Sequence, residues 1–216
     1  MNYTEISYSN KDEWHQIRKK YIGGSDASII MNLNIYKNSQ DLWLEKSGLK
    51  EADNLEENKA VQRGVKSEDL LVEHFRINNP AYHVYKVEKT LRSKEYDFMI
   101  ANLDGALYNE EHGTGILEIK TATCHSSNVY FDKWKNDIPI EYYLQIQHYL
   151  AVTGYGYAIL YADIRLEYTK EKKHEIKKYF IERNDEDIQQ IIRKEKEFYQ
   201  YLLDGKQPPL TKKLIF

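Results

Sequence analysis

The chain has 216 residues, of which 41% are hydrophobic and 30% are charged, and its formal net charge is −3. This balance is typical of a folded chain, and the length fits one domain, which we expect to span residues 1–216. A uniformly basic nucleic-acid binder is excluded, although a local basic groove is not. The single cysteine, Cys124, excludes a disulfide framework and a cysteine-based zinc site within one chain.

Targeting and membrane segments are not expected from the sequence. The chain begins MNYTEISYSNKDEW, which has neither a basic start nor an apolar stretch. The longest mostly apolar window, residues 149–162, is too short to cross a membrane. We therefore expect a cytoplasmic protein without membrane association.

Most of the elements predicted within the first 80 residues are helices. The pattern predicts a helix capped by Asp12 and ended by Gly23, a second helix over 26–31 capped by Ser25, and helices over 40–46 and 62–77. The polar, acidic stretch at 47–59 separates the last two and is predicted to be a surface loop.

Strands follow, and the chain then alternates helix, strands and helix. Strands are predicted over 84–91, 98–103, 116–120, 157–164 and 176–181, with a hairpin loop at 109–115. Pro139 and Gly154 bound one further helix, and Asn184 caps a last one over 185–203. This order predicts an α+β (α/β) fold whose central mixed sheet is flanked by helices.

The predicted strand at 116–120 carries charges on one face. Side chains alternate along a strand, so Glu118 and Lys120 point away from the apolar residues between them. Two charged groups there are costly to bury unless a metal ion or another partner offsets the cost. A hairpin would bring Asp104 alongside, and Asp104 with Glu118 could hold Mg²⁺. The alternative is an exposed Glu–Lys pair on an edge strand.

Lys120 would then orient or help deprotonate an attacking water and stabilise developing charge on a phosphate. A third acid, Glu68, shares a helix face with the apolar residues Val65, Val72 and Phe75. It is either a rim residue that reaches solvent or a buried functional carboxylate.

Two further segments suit phosphate chemistry. Gly23-Gly24 leads into the helix capped by Ser25, so free backbone N–H groups there could bind phosphate, with Arg18 adding bidentate contacts. An ordinary break between helices is the alternative. Gln145 lies on a helix face with Tyr142 and Tyr149 and could bond a water or phosphate, or be a satisfied core amide.

Other reactive residue types carry less weight. The seven histidines form no i, i+4 pair, so histidine metal ligation is poorly supported. Cys124 precedes His125, but adjacency in sequence does not make a catalytic dyad, and we expect a structural cysteine. The lysine-rich run at 170–178 is typical of a solvated strand end, and a contact with DNA backbone is the alternative.

In chain order these segments resemble the YqaJ-type viral recombinase family, which is grouped with lambda exonuclease in the PD-(D/E)xK nucleases. The matching motifs are WHQIRKKYIGGSDAS, DLW, RGVKSE, ANLDG, LEIKTA and IPIEYYLQIQHYLAVTG, between Trp14 and Tyr161. Leu103 stands where the namesake motif has proline, a position that varies in the group.

The resemblance implies a restriction-endonuclease-like core and hydrolysis of DNA phosphodiesters with Mg²⁺, which Mn²⁺ could replace. It assigns catalytic roles to Asp104, Glu118, Lys120 and Gln145, metal ligation to Glu68, Asp104, Glu118 and Ile119, and substrate binding to Arg18 and Ser25.

The expected function is therefore a 5′→3′ exonuclease on double-stranded DNA ends that leaves 3′ overhangs for phage-type recombination. The family also implies a homo-oligomer, such as a trimeric ring, a single-strand-annealing recombinase as partner, and a phage or prophage in a bacterial host. The alternatives are a structure-selective or nicking endonuclease on the same core, and a non-catalytic DNA-binding module.

Overall fold

The computed structural model describes residues 1–53 and 57–210. Its strands are β1 (Tyr3–Ile6), β2 (Ile22–Gly23), β3 (His83–Tyr85), β4 (Thr90–Ser93), β5 (Met99–Ala101), β6 (Gly105–Asn109), β7 (Gly113–Cys124), β8 (Tyr157–Leu166) and β9 (Lys173–Glu182). Its helices are α1 (Lys11–Lys20), α2 (Gly24–Ile30), α3 (Ser39–Lys46), α4 (Lys59–Asn78), α5 (Ser127–Tyr130), α6 (Ile140–Thr153) and α7 (Asp185–Leu203), and a π-helical turn (Phe131–Lys135) follows α5.

The strands form two mixed sheets, where the sequence predicted one. One sheet has the order β1-β4-β5-β2 and the other β3-β6-β7-β8-β9, with β7 and β8 parallel. The strand predicted over 84–91 is wrong as a single element, because its two ends are β3 in the larger sheet and β4 in the smaller one. Lys86 and Glu88, exposed and charged, lie in the crossing between the sheets. The α+β class itself is confirmed.

The predicted alternation along β7 is confirmed and positions the charged residues. Leu117 and Ile119 pack in a buried cluster with Leu71 and Phe75 of α4. Glu118 therefore faces the other side of the sheet, where α6 lies. The larger sheet is thus covered by a helix on each face at this strand.

Helix boundaries follow the predicted capping residues with two corrections. Gly154 ends α6 in the left-handed conformation (φ 73°), and Asn184 caps α7 through its side chain, as predicted. Asn10, rather than Asp12, caps α1. Gly23, rather than Ser25, precedes α2, because the Asp26 carboxylate accepts the Gly23 N–H and the helix starts two residues earlier, at Gly24.

The predicted loop at 47–59 lies between α3 and α4, and its residues 54–56 are outside the described part of the chain. Lys59 belongs to α4 rather than to the loop. No helix among the described residues combines the length and apolar character needed to cross a membrane.

Candidate active site

The site begins where β6 and β7 separate. The last pair of that antiparallel ladder is Gly105 with Leu117. Directly beyond it, the Ile119 N–H donates to Oδ2 of Asp104 at 2.7 Å. A side-chain carboxylate thus replaces the missing strand partner, which fixes Asp104 beside the charged face of β7. Burial raises the pKa of Asp104, opposed by Lys120 and by the Ile119 N–H.

Glu118 is the buried centre of this site, with 1% of its surface exposed. Its Oε1 accepts hydrogen bonds from Lys120 Nζ at 2.6 Å and from Gln145 Nε2 at 2.7 Å. Its Oε2 is buried and has no hydrogen-bond partner among the described residues. A buried carboxylate oxygen left without a donor is costly in a folded protein, and such an atom is suited to a cation.

Burial and the neighbouring charges shift the pKa values of Glu118 and Lys120. Burial, followed by the charge of Asp104, raises the pKa of Glu118 to about 8. Burial alone would lower the pKa of Lys120, but Glu118 and Asp104 outweigh it and raise that pKa above its ordinary value. Lys120 is therefore protonated here and acts as a hydrogen-bond donor and positive charge. The alternative of an exposed Glu–Lys pair is wrong, because Glu118 is buried.

Tyr149 is a member of the site to which the sequence assigned no role. Its hydroxyl accepts a hydrogen bond from Gln145 Nε2 at 3.2 Å, one turn away on α6. Burial and Glu118 raise the pKa of Tyr149, whereas Lys120 and Arg18 oppose that rise, so its phenol lies among all three charges. The shared helix face of Gln145 and Tyr149 was visible in the sequence, but nothing there showed which charges it would meet.

Gly24 permits α2 to pack closely against this face of α6. A Cβ atom at Gly24 would lie 2.5 Å from Cε1 of Tyr149 and 3.0 Å from Cγ of Gln145. The double glycine thus serves close packing. The expected free N–H at Gly23 is not present, because Asp26 accepts it at 2.9 Å.

Arg18 and Ser25 come together as predicted. Nη2 of Arg18 donates to Oγ of Ser25 at 2.9 Å, and the guanidinium carbon lies 4.6 Å from the Trp14 ring centroid. Arg18 also opposes the rise in the pKa of Tyr149, whose hydroxyl accepts from Gln145 beside Glu118. A fixed guanidinium beside a hydroxyl provides donors for a phosphate.

Glu68 lies at the rim of a cavity next to Asp104. It is exposed and lines a cavity of about 250 Å³ together with Asp104, Lys86 and Val72. Partial burial of its carboxyl group and the nearby Asp104 raise the pKa of Glu68 to about 7. Across residues 1–53 and 57–210, no three His, Cys, Asp or Glu side chains are grouped to hold a metal ion, so Glu68 does not join Asp104 and Glu118 in one such group.

The other predicted metal ligand, Ile119, has its side chain in the apolar cluster under α4. Only its backbone carbonyl oxygen is available as a ligand. The donor set of this site is therefore the Asp104 and Glu118 carboxylates with a main-chain oxygen. It fits Mg²⁺, which binds through one or two carboxylates and completes its shell with water and substrate phosphates.

The cysteine and the lysine-rich run stand apart from this site. Cys124 is free and buried, burial raises the pKa of its thiol, and His125 is exposed, which agrees with a structural cysteine. Lys177 donates to the Trp134 and Lys135 carbonyls, and Lys178 donates to Asn79, so these two lysines brace the fold.

Behind the site lies a second buried polar group. His148 Nδ1 lies 2.8 Å from Oε1 of Glu195 on α7, and its Nε2 lies 2.9 Å from the Ile100 carbonyl oxygen. Burial alone would lower the pKa of His148, but Glu195 outweighs it and raises that pKa. Oxygen atoms face both nitrogens, to which an imidazolium would donate, and burial raises the pKa of Glu195 as well. This pair ties α6 to α7 and to β5.

The fold is restriction-endonuclease-like, and solved structures of exonucleases share it. An alkaline exonuclease from Laribacter hongkongensis, also solved in complex with dAMP, matches with a TM-score of 0.66 at 20% identity, over 90% of this chain and 94% of that one. A phage-related exonuclease from Haemophilus somnus matches with a TM-score of 0.57 at 16% identity, over 86% and 96% of the two chains.

The chain belongs to the YqaJ-like viral recombinase domain family, whose model matches residues 13–156. A curated relative, the uncharacterized protein YqaJ of Bacillus subtilis, is 36% identical over 203 residues, which is 94% of this chain. The chain spans 60% of the length of that relative. The resemblance of the motifs to this family is thereby confirmed.

Proposed function

We propose that the protein is a metal-dependent deoxyribonuclease that removes nucleotides from the ends of double-stranded DNA. The observation that carries this proposal is the arrangement of Asp104, Glu118 and Lys120, in which Glu118 is buried and one of its oxygens has no hydrogen-bond partner among the described residues. A protein that only binds DNA gains nothing from buried carboxylates beside a phosphate. The exonucleases that share the fold support the same activity.

Asp104, Glu118 and the Ile119 carbonyl would hold Mg²⁺, or Mn²⁺ in its place. The cation would supply positive charge that polarises the phosphodiester and lowers the pKa of water. The protein's own groups would do the remaining work. Asp104 is held by the Ile119 N–H, and Gln145 keeps Glu118 in place from α6. These two hydrogen bonds set the carboxylates before any ligand arrives.

Lys120 would orient the attacking water and stabilise the charge that develops on the phosphate. Its ammonium group already donates to Glu118 and is protonated, which favours this role over that of a base. Arg18 and Ser25 would bind a neighbouring or terminal phosphate, since the guanidinium and the hydroxyl are already held together by a hydrogen bond and both can donate to phosphate oxygens. Glu68 at the cavity rim would act on the bound cation indirectly, through a water molecule or through the substrate.

The finer properties that the family resemblance implies are also part of the proposal. These are 5′→3′ polarity, release of 3′ overhangs for recombination, action beside a single-strand-annealing protein, and assembly into a homo-oligomer. The experiment uses linear duplex DNA labelled on each strand in turn, with one end blocked, and covalently closed circular DNA as a control. We expect stepwise loss of the 5′-ended strand and intact circles; nicked circles would instead support the endonuclease.

DNA that is bound without any cleavage in Mg²⁺ or Mn²⁺ would contradict the proposal. Oligomeric state is measured separately, by sedimentation of the same preparation with and without duplex ends. A monomer with full activity would overturn only the assembly part of the proposal.

A further inference from the structure

The loop between α2 and α3 holds a fixed conformation. Oδ1 of Asn34 accepts the N–H groups of Tyr36 and Lys37 at 2.9 and 3.0 Å, and Nδ2 of Asn34 donates to Ser28 on α2 at 3.1 Å. Lys37 donates to Glu45 of α3 at 2.6 Å. The backbone around Tyr36 is therefore anchored to both neighbouring helices.

This anchored loop presents large apolar side chains to water. Leu33 is 45% exposed, Ile35 is 63% exposed and Tyr36 is 86% exposed. A ring that is so exposed contributes little to the burial that stabilises the fold. Single exposed apolar residues are ordinary on a protein surface, but three within four positions of a braced loop are typical of a binding surface.

The loop lies near the start of α6, the helix that carries Gln145 and Tyr149 of the candidate active site. At the start of α2, Gly24 packs against Tyr149 of α6. At its end, Met31 packs against the same buried cluster as Tyr143, near the start of α6. The two helices therefore run in opposite directions, and the loop that follows α2 reaches the first turn of α6.

That first turn carries Tyr142, whose ring lies over the catalytic lysine. Lys120 Nζ is 5.0 Å from the centroid of the Tyr142 ring. The phenol of Tyr36 is near enough to Tyr142 to contribute to the rise in its pKa, which burial causes in the first place. Tyr36 therefore belongs to a loop that lies near the first turn of α6, and 86% of its surface is exposed to solvent.

We propose that Tyr36 is a stacking platform for an unpaired base of the DNA strand that enters the active site. The inference rests on the proposed function for the identity of its ligand. Every base has a π face, so an aromatic ring binds unpaired bases with little dependence on sequence. Because the loop is already fixed, little conformational entropy is lost when a base stacks on the ring. Ile35 would widen the apolar surface beside it.

The test uses Lys120→Ala protein in Mg²⁺, so that bound DNA is not degraded, and a duplex with a short unpaired 5′ tail that contains 2-aminopurine. Stacking is followed through the fluorescence of 2-aminopurine. The affinity for the tailed duplex is obtained by titrating protein into the labelled DNA and recording the same fluorescence. Adding Tyr36→Ala should weaken binding of the tailed duplex about five- to hundredfold and abolish the fluorescence change, as expected when one stacked base is lost. Tyr36→Phe and Tyr36→Trp should retain both signals.

Tyr168, an exposed tyrosine in the turn between β8 and β9, provides the matched control, and Tyr168→Ala should change neither signal. Equal affinities for Tyr36→Ala and Tyr168→Ala would overturn the inference. Loss of binding in Tyr36→Phe would also overturn it, because the hydroxyl rather than the ring would then be responsible.

Failure of the proposed function is distinguishable from failure of this inference. If the unsubstituted protein digests duplex ends but Tyr36→Ala leaves the fluorescence of 2-aminopurine unchanged, only the stacking role is wrong. If the unsubstituted protein cleaves nothing while Tyr36 still governs the fluorescence, the nuclease assignment is wrong and the stacking surface stands.

Discussion

The Ile119 main-chain N–H and the Asp104 carboxylate are joined by a 2.7 Å hydrogen bond at the point where β6 leaves β7. The bond ties a side chain to the strand that carries Glu118 and Lys120. The position of one acid is therefore set by the backbone next to the other. Burial raises the pKa of Glu118, and the negative charge of Asp104 adds to that rise, as expected for two carboxylates held close together.

Asp104→Asn should separate the two roles of this carboxyl group. The amide oxygen can still accept the Ile119 N–H, but the negative charge is lost. We expect cleavage to fall about 100-fold or more, as for other groups that act electrostatically in a transition state. The thermal midpoint should stay the same or rise, because the repulsion with Glu118 is removed. Activity near that of the parent would show that Asp104 is not part of the site.

Gly24→Ala tests the close approach of α2 to α6. Its added methyl group would meet Tyr149 at 2.5 Å, so Tyr149 and Gln145 must shift. We expect a loss of about 1–3 kcal/mol in the free energy of unfolding, together with reduced cleavage. Gly156→Ala is the control, since a Cβ there meets nothing within 4 Å. Chemical denaturation of both variants measures the difference, and equal stability would refute the packing argument.

Glu195→Gln should reveal how much the buried contact between Glu195 and His148 stabilises the fold. Glu195 and His148 are both fully buried, and the glutamine amide would leave a protonated His148 without the carboxylate that its Nδ1 contacts. Removing one member of such a pair costs about 3–5 kcal/mol. The control is Glu197→Gln in the same helix, where Glu197 pairs with Lys194 at the exposed surface and the expected cost is within about 0.5 kcal/mol. Similar unfolding midpoints for the two variants would disprove the ion pair.

Arg18→Ala should weaken recognition of a terminal phosphate. Arg18 is held against Ser25 and Trp14, so its guanidinium is preorganised. We expect digestion of 5′-phosphorylated duplex to slow, while digestion of 5′-hydroxyl duplex changes much less. Arg193→Ala, an exposed arginine on α7, is the control and should affect neither substrate. Equal slowing of both substrates by Arg18→Ala would place Arg18 elsewhere in the mechanism.

Local patterns in the sequence predict the ends of those helices that are marked by strong capping residues. Asn184 and Gly154 fix the ends of their helices because side-chain capping and left-handed backbone are local properties. The division into two sheets is not local. The run at 84–91 is apolar enough to be one strand, and only the tertiary pairing of β3 with β6 and of β4 with β1 splits it.

The site shows the same limit. Alternation along β7 predicts that Glu118 and Lys120 share a face, and the structure confirms it. The sequence could not show that Glu118 is fully buried, that Gln145 bonds the same oxygen as Lys120, or that Tyr149 completes the group. These facts depend on how α6 crosses the sheet, which no short motif encodes. Gly24 is understood only once α2 is seen against α6.

The most direct test of the central claim compares the parent protein with Glu118→Gln in one assay. The rate of nucleotide release from end-labelled linear duplex is measured in Mg²⁺ and again after chelation with EDTA. We predict release only by the parent in Mg²⁺, with the rate of Glu118→Gln lower by about 100-fold or more, while its affinity for DNA is kept. Release by Glu118→Gln at the parental rate, or release by the parent in EDTA, would contradict a metal-dependent nuclease site built on Glu118.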